Sequence, residues 1–117
     1  MEYALQGRLG VLVEEGYKSI TLDIEKSDAL QMLCYITALE LGRPLSFVIK
    51  DQQAMSRFTY GSELQFTVKA DRIHLRLSFS KEQVELIKCC ITDSVLWGNY
   101  DHIDFSHELC DFTFRIS

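Results

Sequence analysis

Residues 64–83, LQFTVKADRIHLRLSFSKEQ, carry the two patterns that decide the fold of this chain. Apolar and polar residues alternate on both sides of Ala70-Asp71, which predicts two strands with one buried face, joined by a tight turn. The expected register pairs Val68 with Ile73, Phe66 with Leu75 and Leu64 with Leu77. Ser80 and Gln83 then have the spacing of a capping box, at which a helix begins. The stretch therefore predicts a hairpin followed at once by a helix.

The same alternation predicts further strands on both sides of this hairpin. It recurs at residues 9–13, 20–24, 45–49, 103–105 and 110–116. Residues 51–61 are expected to form the longest loop. Because short turns join most of the consecutive strands, the sheet is expected to be mostly antiparallel, with about seven strands.

Two segments have helical spacing instead. The first spans residues 27–41, ends at Gly42 and has an apolar stripe formed by Ala29, Leu30, Leu33, Ile36 and Leu41. The second begins at the capping box, ends before Gly98 and has a stripe formed by Val84, Ile87, Ile91 and Val95. Each helix thus has one apolar face to cover a sheet. The expected fold is a single α+β domain over residues 1–117, a two-layer sandwich in the order ββαβ-ββαββ.

The two halves of the chain also resemble each other. A shift of 55 residues places Ile20, Leu22 and Ile24 on Leu75, Leu77 and Phe79, and Cys34 on Cys89. Self-similarity at a fixed spacing is typical of an internal repeat. The match indicates an internal pseudo-repeat, although convergent patterning of two strand-strand-helix units explains part of it.

Composition narrows the function classes. The 117 residues include 17 acidic and 12 basic side chains, for a net charge of -5, and 47% are hydrophobic. That apolar content excludes a disordered chain. The acidic balance argues against a nucleic-acid binder, whose phosphate contacts require a basic face. We therefore expect a folded domain that has no nucleic-acid partner.

The first residues and the cysteines bear on compartment and cofactors. No secretory signal and no membrane span is apparent, so a cytoplasmic protein with reduced thiols is expected, without membrane contact. The thiols of Cys34, Cys89, Cys90 and Cys110 lack the Cys-x-x-Cys spacing of zinc and redox sites, and are predicted to be small buried hydrophobes. No metal or other cofactor is expected.

One polar cluster, residues 101–110, offers a route to catalysis. On a strand, His102 and Asp104 share a face, and His107 and Cys110 follow at the next turn. Such groups suit a metal site or a thiol dyad, although this spacing is not diagnostic. An enzyme using His102, His107 and Cys110 is kept as an alternative, and the solvated face of an edge hairpin is the favoured interpretation.

Charge is distributed unevenly along the chain. No Lys or Arg lies between Lys88 and Arg115, and the carboxylates in that interval equal the net charge of the chain: Asp93, Asp101, Asp104, Glu108 and Asp111. With Tyr100 as an apolar anchor, they predict a surface for a basic protein partner. Residue types common in binding hot spots also occur in the 51–61 connection, namely Met55, Arg57, Phe58 and Tyr60.

In size, acidity and lack of catalytic motifs, the chain resembles the immunity proteins that protect bacteria from their own secreted nuclease toxins. This resemblance is one of class and rests on no alignable motif. It implies an inhibitor that neutralises a basic partner by occlusion, with carboxylates in the place of substrate phosphates. Small acidic secretion chaperones are a second class that the chain resembles, although these begin with a helix and usually dimerise. Monomer and homodimer both remain open.

Overall fold

A sheet of eight strands curls around two helices in the computed structural model of the chain, which describes residues 2–51, 54–70, 73–98, 102–107 and 110–117. The elements are β1 (Glu2–Glu14), β2 (Tyr17–Ile24), α1 (Lys26–Glu40), β3 (Ser46–Lys50), β4 (Met55–Tyr60), β5 (Leu64–Ala70), β6 (Ile73–Phe79), α2 (Lys81–Trp97), β7 (His102–Ser106) and β8 (Asp111–Ile116). The sheet order is β6-β5-β4-β3-β1-β2-β8-β7. The predicted α+β class with two helices is confirmed.

The sheet differs from the prediction in its pairing. β1 with β3 and β2 with β8 are parallel, and the other pairings between described strands are antiparallel. Among the strands that the structure describes, five of the seven pairings are thus antiparallel, as predicted for most of the sheet. The sheet as a whole is mixed, however, and it curls into a half-barrel instead of forming one layer of the predicted two-layer sandwich. Strands joined by a turn pair with each other. β3, the first strand after α1, returns beside β1, and β8, the second strand after α2, returns beside β2, which local turns do not predict.

An additional strand, β4, occupies part of the segment predicted to be a loop. Ser56 and Phe58 point into the core, whereas Met55 and Arg57 point outward. A polar Ser56 at a core position hides the alternation, which is why the strand escaped the sequence pattern. With β4 included, both halves follow the order ββαββ, and α1 and α2 begin at Lys26 and Lys81, in keeping with the 55-residue shift. Their pairings differ, so a duplication stays a prediction.

The hairpin of β5 and β6 has a register two residues away from the predicted one. Val68 pairs with Leu75, Phe66 with Leu77 and Leu64 with Phe79. Ala70, which was predicted to lie in the turn, pairs with Ile73 at the end of the ladder. A shift of two keeps every side chain on its predicted face, because the side-chain period of a strand is two.

β1 changes partner along its length. Residues 2–6 pair with β3, whereas residues 7–14 pair with β2. At the change of partner, a Cβ on Gly7 would lie 2.6 Å from the backbone oxygen of Asp23, so glycine is needed for the close approach. Two carboxylates satisfy the backbone there: Asp28 accepts from the Gln6 N–H at 2.7 Å, and Asp51 accepts from the Leu9 N–H at 2.7 Å.

Aromatic side chains fill the inside of the curled sheet. Phe79 on the end strand β6 lies 5.1 Å from Phe112 and 6.0 Å from Phe105, ring centre to ring centre, although those residues belong to the opposite end of the sheet. Phe66 also contacts Phe112, at 5.7 Å. The two ends of the sheet are therefore joined through side chains rather than through backbone pairing.

The helices cover the open side of the half-barrel. The buried stripe of α1 consists of Ala29, Met32, Ile36 and Leu39, so the predicted burial of Leu30 and Leu41 is wrong. The capping box of α2 is confirmed, and its buried stripe includes Cys90 and Ser94, whereas Val95 is exposed. No described helix is both long enough and apolar enough to span a membrane.

A charged contact connects the two helices. The Lys88 ammonium contacts the Glu40 carboxylate, and both side chains are mostly buried. Burial disfavours the charge on Lys88, but the hydrogen bond and charge of Glu40, with help from Glu85, outweigh it and raise the pKa of Lys88 above its ordinary value.

Candidate functional site

The side of the sheet turned away from the helices, here the outer face, brings together outward side chains from all eight strands. Core residues occupy alternate positions of each strand, and the positions between them point outward. Both helices lie on the core side, so no described helix covers the outer face. Apart from Arg8 and Glu14 on β1 itself, its charges fall into two groups, which are separated by this strand.

The outward positions of residues 2–6 and strands β3 to β6 form the basic half. Its charged members are Glu2, Lys50, Arg57, Lys69 and Arg76. Arg57 contacts Glu2 at 2.8 Å, which leaves three cations without that neutralisation. A groove of about 370 Å³ crosses this half between Lys50, Lys69 and His74, and Met55 in it is 70% exposed.

The outward positions of β2, β8 and β7 form the acidic half. Its charged members are Asp23, Asp104, Asp111 and Arg115, with His102 beside them. Arg115 contacts Asp23 at 3.0 Å, so Asp104 and Asp111 carry the excess negative charge. The Thr113 hydroxyl donates to Asp104 at 2.6 Å, and the imidazole of His102 lies 3.7 Å from the same carboxylate. Asp104 is thus held in place.

The structure divides the acidic cluster that the sequence predicted. Asp104 and Asp111 occupy diagonal positions on the β7–β8 pair, because Asp104 pairs with Thr113 and Asp111 with Ser106. Asp93 lies on α2, on the opposite side of the sheet, so its place in a single patch is wrong. Sequence proximity grouped it with the others, but the sheet lies between them. Tyr100, Asp101 and Glu108 lie outside the described residues.

The residues predicted at the 51–61 connection also separate. Phe58 is fully buried between Phe47 and Phe66, with ring centres 4.7 and 4.5 Å away, so its predicted contact with a partner is wrong. Phe58 occupies an inward position of β4, where removing its ring from water stabilises the fold, whereas an exposed ring would not. Met55 and Arg57 are exposed and belong to the basic half, and Tyr60 is exposed at the end of β4.

Of the three groups in the catalytic alternative, His107 and Cys110 are neighbours, since the His107 N–H donates to the Cys110 carbonyl at 2.9 Å, but His102 lies apart from them. His102 points outward, whereas Cys110 is buried, so the two lie on opposite faces of the hairpin. Burial raises the pKa of the Cys110 thiol, and the charge of Asp111 adds to this effect, whereas Lys18 opposes it. Because the pKa is raised, the thiol stays protonated and unreactive. The described part of the chain has no group of three or more His, Cys, Asp or Glu side chains placed to hold a metal ion.

His107 is enclosed by aromatic rings at the end of β7. It lies 5.6 Å from Phe79 and 6.5 Å from Phe105, edge to face, and its Nε2 is buried without a hydrogen-bond partner among the described residues. Burial lowers the pKa of His107 below its ordinary value. The imidazole is therefore mostly neutral near pH 7 and packs, half-buried, against the rings of Phe79 and Phe105.

The thiols differ from the prediction that all are buried. Cys90 and Cys110 are buried as expected, but Cys34 and Cys89 are exposed. Each helix packs through a stripe that leaves these two positions toward solvent. No disulfide joins any of the four cysteines, all of which the structure describes.

The basic half is the feature that the sequence analysis missed. Its signal was present, because Lys69 and Arg76 alternate with the core residues of the hairpin that predicted the fold.

Comparison with protein-family models, with curated proteins and with solved structures finds no match for this chain.

Proposed function

We propose that the protein is a binding module that neutralises a basic protein partner by covering its working surface. The carrying observation is the acidic half, where Asp104 and Asp111 lie together on an uncovered face of the closing hairpin. Carboxylates on such a surface accelerate encounter with a cationic partner and favour one docking orientation. This role requires no catalytic group and no cofactor.

The local geometry supports a surface prepared for binding. Thr113 holds the Asp104 carboxylate, so little side-chain freedom is lost on association. Asp101 directly precedes β7 in the sequence, and Glu108 follows His107, so two further carboxylates adjoin the described hairpin. A basic site that binds phosphates would accept the carboxylates of Asp104 and Asp111 in their place. The proposed partner class is therefore a nucleic-acid-acting protein such as a bacterial nuclease toxin, met in the cytoplasm.

The test uses capture by the immobilised chain from a native lysate, followed by a salt gradient. Wild-type protein is expected to retain a basic protein that elutes as screening increases. The variant Asp104→Asn/Asp111→Asn should reduce retention roughly tenfold, because it removes the excess charge of the acidic half. The matched control Lys69→Gln/Arg76→Gln removes two charges from the basic half and should leave retention unchanged.

Two outcomes would contradict the proposal. One is equal retention by the wild type and the Asp104→Asn/Asp111→Asn variant. The other is a captured basic protein whose own activity is unaffected when the chain is added in excess, since occlusion requires inhibition.

A second candidate function is favoured by the groove of the basic half. Lys50 and Lys69 flank the exposed Met55, which suits an acidic peptide segment with one apolar side chain. The same experiment separates the two candidates. A captured acidic protein that is lost with Lys69→Gln/Arg76→Gln, and kept with Asp104→Asn/Asp111→Asn, would assign binding to the basic half.

A further inference from the structure

The second half of β1 has one paired edge and one open edge. Residues 7–14 pair with β2 on one side, and on the other side no described strand continues beyond Gln6, where the pairing with β3 ends. The Leu9 N–H points to this open edge, because it donates to Asp51 there. Strand backbone groups alternate in direction, so the N–H and C=O groups of Val11 and Val13 point to the same edge.

Apolar side chains accompany this edge. Leu12 and Val13 are each 49% exposed, and Tyr17, across the turn on β2, is 44% exposed. An open strand edge with exposed apolar residues is a template for pairing with another strand. Proteins discourage such pairing by placing charged residues or proline on an edge strand, and residues 9–13 contain neither.

The sequence of this edge is complementary to itself. We propose that it binds the same edge of a second copy of the chain, antiparallel, with Val11 opposite Val11 of the second copy. In that register Arg8 faces Glu14 of the second copy, and Gly10 faces its Leu12, with both pairs on the outer face. On the core face Leu9 meets Val13. The two-fold axis repeats each of these pairs.

Charge and space select this register over its neighbours. A shift by two residues in either direction separates Arg8 from Glu14 and places Leu12 opposite Arg8 or opposite another Leu12. Gly10 leaves room for the facing Leu12, because even an added Cβ would lie 3.7 Å from its nearest neighbour, Thr21. The chosen register alone satisfies both conditions.

The turn of the β1–β2 hairpin would also contact a complementary surface on the second copy. Glu14 and Glu15 of the second copy would arrive at an open groove of about 820 Å³, in whose lining three cations outnumber two carboxylates: Arg8, Lys50 and Arg115 against Asp23 and Asp51. Asp51 already occupies the Leu9 N–H, so the new ladder ends at that residue. The contact joins the two acidic halves into one continuous sheet across the two-fold axis.

Sedimentation velocity over a range of concentrations tests the proposal. The wild type is expected to reach twice the 13.5 kDa mass of one chain. Arg8→Glu and Glu14→Arg each create two like-charge pairs and should weaken the dimer about tenfold, whereas the combination Arg8→Glu/Glu14→Arg restores both pairs and the dimer. The matched control Arg76→Glu makes the same charge change away from this edge and should leave the dissociation constant unchanged.

A backbone variant covers the case in which a charge variant affects folding, since Arg8 also lies opposite Asp23 on β2. Val13→Pro removes the N–H group that points to the open edge and leaves the hydrogen bonds between β1 and β2 in place. The monomer should therefore fold, and the dimer should be lost. A strictly monomeric wild type, or a dimer that survives Glu14→Arg and Val13→Pro, overturns the proposal. Failure here leaves the acidic-half proposal intact, because Asp104 and Asp111 lie outside this edge.

Discussion

The basic half and the acidic half of the outer face are built in the same way and carry opposite charge. Both consist of strands whose alternate residues fill one aromatic core, and neither is covered by a described helix. The basic half has four cations and one carboxylate, whereas the acidic half has three carboxylates and Arg115. Strand architecture therefore constrains the inward positions and leaves the outward positions free to serve binding.

This difference changes the meaning of the net charge of -5. That value predicts an acidic protein with a basic partner, but it averages over a surface on which one half attracts anions. Charge acts over about a Debye length of 8–10 Å, so a partner responds to the half that it approaches rather than to the whole chain.

The largest effect is expected at Phe79, which connects the two ends of the sheet. Phe79→Ala removes a fully buried ring that contacts Phe105 and Phe112, and should lower the free energy of unfolding by about 3–5 kcal/mol. Denaturant unfolding measures the loss. Trp97→Ala removes an aromatic side chain that is 71% exposed at the end of α2, so it serves as the control and should change stability by less than about 0.5 kcal/mol. A similar small change for both variants would show that the ends of the sheet are not joined through Phe79.

A smaller effect is expected at Gly7, on the boundary between the halves. Gly7→Ala forces its new carbon toward the Asp23 oxygen and should cost about 1–3 kcal/mol. Gly10→Ala on the same strand meets only an ordinary contact with Thr21 and should be close to neutral in dilute protein. Thermal unfolding of the two variants compares them directly. Equal melting temperatures would place the close approach elsewhere.

The smallest effect concerns pH, at the aromatic enclosure of His107 beneath the acidic half. Because the folded pKa of His107 lies below its unfolded value of about 6.5, unfolded chains bind the proton more readily. Stability is therefore expected to fall as the pH decreases below about 6.5, until the folded pKa is passed. His107→Phe should remove this contribution, so that melting temperatures of variant and wild type diverge as the pH falls from 7 to 5. Parallel profiles would contradict the role of His107.

Local sequence pattern predicts much of the fold. The hairpin of β5 and β6, the capping box at Ser80 and the inward direction of Cys110 all follow from alternation or spacing within a few residues. The pattern does not predict β4, because Ser56 occupies a core position although its polarity predicts an outward one. The candidate site was accessible in part. Asp104 and Asp111 were identified, but the separation of Asp93 from them depends on which side of the sheet α2 covers.

The amino-acid sequence alone determines which face of its own strand or helix most residues occupy, because that depends on a period of two or 3.6 residues. It does not determine which strands become neighbours. The change of partner within β1, the two parallel pairings and the contact of Phe79 with Phe112 each join residues far apart in the chain, and their free energy arises only when the core assembles. The division of the outer face into a basic and an acidic half is a consequence of that assembly.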